Sequence, residues 1–240
     1  MERPLILVNG TYERGERPWT KLYVRYAERV SEAGGLALVL PAIWDEAHLD
    51  AALDRADGVL LTGGDDLQTE PLGLGPTHPT AVPTPLEKQA LDLALARAAV
   101  ERGLPVLGIC FGMQCMGINA GAQMLQHLPE QWPGAQEHRD SAVHPVTLTE
   151  GSKLRAISGV ERFDVVSRHH QALVDVPAPW RVVGRDLEGL VEAIELPAHP
   201  FAVGVQWHPE LSDNTGPHQN LFQALVAAAR AHRHDLETNR

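Results

Sequence analysis

Cysteine is almost missing from this sequence: 240 residues carry two, Cys110 and Cys115, both in one short segment. A turn residue and one on the helix after it are poorly placed to bridge. A disulfide scaffold is therefore excluded and a reducing, cytoplasmic setting is expected. Long apolar runs are missing too. The first, Leu5-Ile6-Leu7-Val8, is too short for a signal peptide, and no stretch is long enough to span a bilayer. Basic clusters are absent, and a formal charge of -11 argues against nucleic acid as a partner. No internal repeat, linker or low-complexity tract occurs, so residues 1–240 are expected to form one domain.

What the sequence does hold is alternation. Strands are expected at residues 5–8, 36–40, 58–61 and 104–107, and helices at 21–33, 46–55, 86–102 and 113–120. Strand–helix alternation implies a parallel sheet covered on both faces, with ligands gathered at the carboxyl ends of the strands. The proline- and glycine-rich residues 68–85 read equally well as a surface loop or a substrate-contacting one. The second half changes style. Short strand-like runs fall at 143–149, 162–166, 181–185, 190–196 and 202–207, and a closing helix at 220–229. Residues 190–196 alternate apolar and acidic side chains, though imperfectly.

Two stretches carry chemistry. Gly108-Ile109-Cys110-Phe111-Gly112 places Cys110 on a sharp strand-to-helix turn. There the thiol stands at the carboxyl end of the sheet and at a helix N-terminus, which favours the thiolate, and Phe111 offers a backbone N–H to an oxyanion. Far downstream, a strand ends in Gln206-Trp207-His208-Pro209-Glu210. Residues two apart in an extended chain point the same way, and Pro209 biases His208 toward that conformation. Cys110 then reads as nucleophile, His208 as base and Glu210 as its orienter. Alone, the first motif reads as a buried structural cysteine and the second as a solvated turn; together, at matching strand ends, they read as catalytic.

In combination these motifs resemble the class I glutamine amidotransferase-like superfamily. Within it the chain is most similar to the γ-glutamyl hydrolase (peptidase C26) branch and its γ-glutamyl-γ-aminobutyrate hydrolases. Thr62-Gly63-Gly64-Asp65-Asp66 with Pro71, the segment Gly121 to Gln131, and Ser167-Arg168-His169-His170-Gln171 carry the same likeness. Two positions depart from it. Phe111 stands where the branch commonly has arginine, and Pro83-Thr84 where it commonly has Arg-Asp.

The resemblance implies a flavodoxin-like three-layer α/β sandwich, with a mostly parallel central sheet and extra antiparallel strands in the C-terminal half. It implies hydrolysis of a γ-glutamyl amide through a thioester on Cys110, with the backbone of Gly64 and Phe111 holding the oxyanion. Gly63, Gln114, Ser167, Arg168 and His169 would contact the glutamyl group. The released amine is left open between γ-aminobutyrate, another polyamine-derived amine and a folate-type tail. A glutaminase subunit feeding a synthetase and an idle binding protein on the same fold are the rival readings. No cofactor is expected, the substrate is a small molecule, and a homodimer stays open. No metal is expected either: His169 and His170 should point to opposite faces, and no cysteine or third ligand is spaced to join them.

Overall fold

Apolar runs closed by glycine, proline or asparagine build the centre of the molecule. In the computed structural model, which describes residues 3–43, 45–213 and 215–238, they form strands β1 (Leu5–Asn9), β4 (Leu36–Leu40), β5 (Gly58–Leu61) and β6 (Val106–Ile109). A small hairpin, β2 (Thr11–Glu13) and β3 (Trp19–Lys21), follows β1. Helices α1 (Val24–Glu32), α2 (Glu46–Leu53), α3 (Leu86–Glu101) and α4 (Phe111–Asn119) alternate with the strands. The second half adds β7 (Met124–Leu125), α5 (Leu128–Gln131), β8 (Ala142–Leu148), α6 (Lys153–Ser158), β9 (Arg162–Ser167) and β10 (Ala172–Leu173). Then come β11 (Arg181–Arg185), β12 (Val191–Glu195), β13 (Ala202–Val205) and α7 (Gly216–Thr238).

Nine strands join one sheet in the order β4-β1-β5-β6-β13-β12-β11-β8-β9. The first five are mutually parallel, and the pairs from β13 onward are antiparallel. The sheet has a core on each face. Leu49 and Leu53 of α2, Leu91 and Leu95 of α3, and Met113 of α4 pack on one. Val30 of α1, Leu154 of α6, and Leu221 and Phe222 of α7 pack on the other. Val59, Leu60 and Leu61 of β5 are wholly buried between them, each contributing about 1.5–3 kcal/mol through the apolar surface removed from water. This is the expected three-layer architecture.

The departures have physical causes. The first helix starts at Val24 because Lys21 is taken up by the hairpin, paired with Thr11. The last helix extends well past the expected residues 220–229 at both ends. Alternation in residues 190–196 suggests carboxylates facing water, yet Glu192 and Glu195 are buried. Glu195 accepts the backbone N–H groups of Lys153 and Leu154, both at 3.2 Å. It thereby satisfies the free donors of α6's first turn. Trp207 is core, whereas Trp19 is 61% exposed; Trp44 lies outside the described residues.

Candidate active site

Strands β5, β6 and β13 lie side by side, with Leu61 and Gly204 both opposite Gly108. Their carboxyl ends therefore bring Gly63-Gly64, Cys110 and His208 to one edge, although the chain separates them widely. Cys110 has φ 50° and ψ -105°, a conformation that costs an L-residue about 1–3 kcal/mol and persists only where the surroundings enforce it. Here its N–H donates to Val205 O at 2.8 Å, and its carbonyl accepts from Gln114 N at 3.0 Å. Gly112 lets α4 sit directly on β5, since a Cβ there would fall 2.5 Å from Leu61 O. The thiol is buried at the N-terminus of α4.

His208 Nδ1 stands 2.7 Å from Glu210 Oε1, and both side chains are buried. A carboxylate beside an imidazole holds the proton on that nitrogen, leaving Nε2 for the reaction. The contact is made on a 3₁₀ turn, Pro209–Leu211, rather than along an extended chain as expected. Cys110 stands at the end of β6, beside the end of β13 that leads into His208. Burial alone would lower the imidazole; Cys110 and Glu210 outweigh it and push His208 up to about 10. Gly63 permits this packing, because a Cβ there would lie 2.7 Å from His208 Cε1.

Two neighbours were not legible as functional in the sequence. The Tyr26 hydroxyl of α1 accepts from Gly63 N at 3.0 Å. Burial first, then the Glu210 charge, raises its phenol well above the ordinary value. Gln206 Nε2 donates to Cys110 Sγ at 3.4 Å. Tyr26 reads locally as one apolar residue of a helix face, and Gln206 as a polar residue ending a strand.

An open cleft of about 460 Å³ lies over this edge, lined by Gly63, Gly64, Asp65, Arg168, His208 and Glu210 among others. Phe111 backs it, with its ring against Gly64. Three expected substrate contacts sit behind the cleft. Gln114 Nε2 donates to Gln206 Oε1 and Gln171 O, both at 3.2 Å. Ser167 is fully buried, with Oγ 3.4 Å from His138 Nδ1. His169 donates from Nδ1 to Gln171 O at 3.0 Å. Neither His169 nor His170 lies on a strand, and they take different partners, His170 Nε2 standing 2.7 Å from Asp66 Oδ2. Chain spacing offered His169 no further partners, but the fold supplies them: His138, His144 and Glu192 gather around it.

The Peptidase C26 family profile matches residues 4–210, and the chain belongs to that family, a group of hydrolases on the glutamine amidotransferase-like fold. A Mycobacterium tuberculosis protein provisionally described as a glutamine amidotransferase is 38% identical over 208 residues, covering 85% of this chain and 66% of its own length. The gamma-glutamyl-gamma-aminobutyrate hydrolase of Escherichia coli O157:H7 is 34% identical over 225 residues, 88% of this chain and 87% of that one. The crystal structure of a Thermoplasma acidophilum protein, provisionally described as one subunit of a GMP synthase, superposes with a TM-score of 0.70 at 17% identity. It covers 99% of both chains and shows the shared fold alone. No helix among the described residues is long and apolar enough to cross a membrane.

Proposed function

We propose that this chain hydrolyses a γ-glutamyl amide, releasing glutamate and an amine through a γ-glutamyl thioester on Cys110. The observation that carries the reading is the buried 2.7 Å His208–Glu210 pair, brought by the pairing of β6 and β13 to the same sheet edge as Cys110. His208 Nε2 takes the thiol proton, and Cys110 Sγ attacks the γ-carbonyl carbon. The carbonyl electrons move onto oxygen, which the backbone N–H groups of Gly64 and Phe111 receive. The first-turn N–H of a helix has no intrahelical acceptor, so that of Phe111 is free for this use. The tetrahedral species collapses as the His208 imidazolium gives its proton to the leaving amine. Water, deprotonated by the same ring, then attacks the thioester carbonyl and frees glutamate and the thiol.

Tyr26 orients the Gly63 peptide beside the oxyanion position, and Gln206 steadies the sulfur. Arg168 and Asp65 give the cleft one cation and one anion, a complement to the α-carboxylate and α-amino groups of a glutamyl substrate. The enzyme acts on small molecules in the cytoplasm, and γ-glutamyl-γ-aminobutyrate is the first substrate to try.

A second reading, ammonia delivery to a synthetase, is favoured by the relative described as a glutamine amidotransferase. Purified chain should release glutamate from a panel of γ-glutamyl amides with no second protein, and Cys110→Ala should bind the same amides without turnover. Activity confined to glutamine, and only after a partner is added, would overturn the proposal in favour of ammonia delivery.

A further inference from the structure

We infer that His138, His144, His169 and Glu192 form a closed site for a divalent transition-metal ion of the zinc class, beside the catalytic edge. Each offers one ligand atom, all four atoms lie within 4.8 Å of one another, and all four residues are buried. Glu192 Oε1 is the centre of the group. It stands 3.6 Å from His138 Nδ1, 3.8 Å from His144 Nε2 and 3.5 Å from His169 Nε2. A tetrahedral ion with ligands at about 2.0–2.1 Å sets neighbouring ligand atoms about 3.3 Å apart. Those three contacts already lie within about half an ångström of that spacing.

The outer contacts point the same way. A metal-ligating histidine donates its other N–H to a carbonyl or carboxylate, which fixes the ring and the tautomer. His169 Nδ1 faces Gln171 O at 3.0 Å, and His144 Nδ1 faces Pro145 O at 3.4 Å. A carbonyl oxygen only accepts, so both rings carry hydrogen there and present a bare Nε2 to Glu192. His138 Nε2 lies 3.2 Å from Asp186 Oδ2, close but not aligned as a hydrogen bond, and neither atom has another partner among the described residues. Asp186 is held in turn by the N–H groups of Glu188 and Leu190, at 3.0 and 2.7 Å. Ser167 Oγ, 3.4 Å from His138 Nδ1, makes a contact that the ion would replace.

His144 Nε2, His169 Nε2 and both Glu192 oxygens have no hydrogen-bond partner among the described residues. Buried polar atoms left this way are costly. A divalent cation would satisfy them and balance the charges of Glu192 and Asp186. Three imidazoles with one carboxylate suit zinc, and four protein ligands leave no open position, so the ion's role is structural. It would tie the loop before β8, strand β8, the turn after β9 and strand β12 together directly behind His208 and Arg168. A second cavity of about 290 Å³, lined by Leu128, Trp132, Gln136, His138 and His169 among others, gives access to the group.

The test uses chelator-stripped full chain carrying Cys110→Ser, so that the catalytic thiol cannot capture the ion, titrated with Zn²⁺ alone. Expected is one zinc per chain retained through gel filtration, and visible d–d bands of a four-coordinate nitrogen–oxygen site when Co²⁺ replaces it. Asp186→Asn, which keeps the four ligands, should weaken zinc ~10- to 100-fold, and His144→Gln should abolish retention. A cooperatively melting Cys110→Ser chain that retains no zinc would overturn the inference. So would an affinity that neither Asp186→Asn nor His144→Gln changes.

Discussion

Glu210→Gln keeps the shape of the partner of His208 and removes its charge. The carboxylate accepts across 2.7 Å from a ring shielded from water, and Glu210 itself is 2% exposed. A hydrogen bond to a charged group contributes about 1.5–3 kcal/mol and a neutral one about 0.5–1.5. The imidazolium formed when His208 takes the Cys110 proton should thus lose about 1–2.5 kcal/mol, or ~5- to 70-fold in turnover. Losing the charge also moves a titration. His208 is raised to about 10 against the pull of burial, with Glu210 among the groups that raise it. A raised histidine contributes stability that is complete below the unfolded value of about 6.5 and is lost as pH climbs through the folded one. In the variant the loss still begins at about 6.5 but should be smaller and complete at lower pH. Steady-state kinetics on a γ-glutamyl amide and thermal melts, each run from neutral to strongly alkaline pH, read both effects. The alkaline limb of each curve should shift toward acid and kcat should drop. Wild-type turnover together with an unmoved alkaline limb would refute the assignment of Glu210 as the orienting carboxylate.

Iodoacetamide near neutral pH should label Cys110 well before Cys115, which is fully buried and whose thiol burial pushes well up; equal labelling of the folded protein contradicts the nucleophile assignment. Gly112→Ala should lower stability by about 1–3 kcal/mol through overpacking against Leu61, and an unchanged melting temperature would show that α4 can shift off β5. Tyr26→Phe leaves the Gly63 N–H without its acceptor, a loss of about 1–3 kcal/mol at that peptide. It should lower kcat about tenfold with KM little changed, whereas a melting shift with wild-type kcat would leave Tyr26 a packing residue.

The parallel half was legible because its strands are unbroken apolar runs with turn residues at the ends. Gly58–Leu61 is such a run buried on both faces, whereas Leu36–Leu40 reads the same way although it is the edge strand and leaves Leu36, Leu38 and Val39 exposed. The Cys110 turn was legible through its glycines, and the nearness of His208 and Glu210 through their spacing, although a 3₁₀ turn rather than a strand brings them together. What stayed hidden depends on residues far apart in the chain. The hairpin Thr11–Glu13 and Trp19–Lys21 is polar on both strands and carries no apolar alternation to reveal it. Glu192 and Glu195 sit in a strand whose pattern promises exposure, and only the elements packed over β12 bury them. His138, His144 and Glu192 share no spacing motif, since β8, β12 and the loop before β8 meet only in the folded sheet.

The backbone of Cys110 sets activity and robustness against each other at one residue. Glycine adopts φ 50° without the steric penalty that cysteine bears, so Cys110→Gly relaxes the turn at the same stroke that removes the sulfur. A duplicated copy released from the demand for turnover therefore has a downhill path out of catalysis, a single substitution long. Glycine at this position in a descendant of this chain would record a thermodynamic gain as well as a lost reaction, and a sturdier protein left free for binding alone.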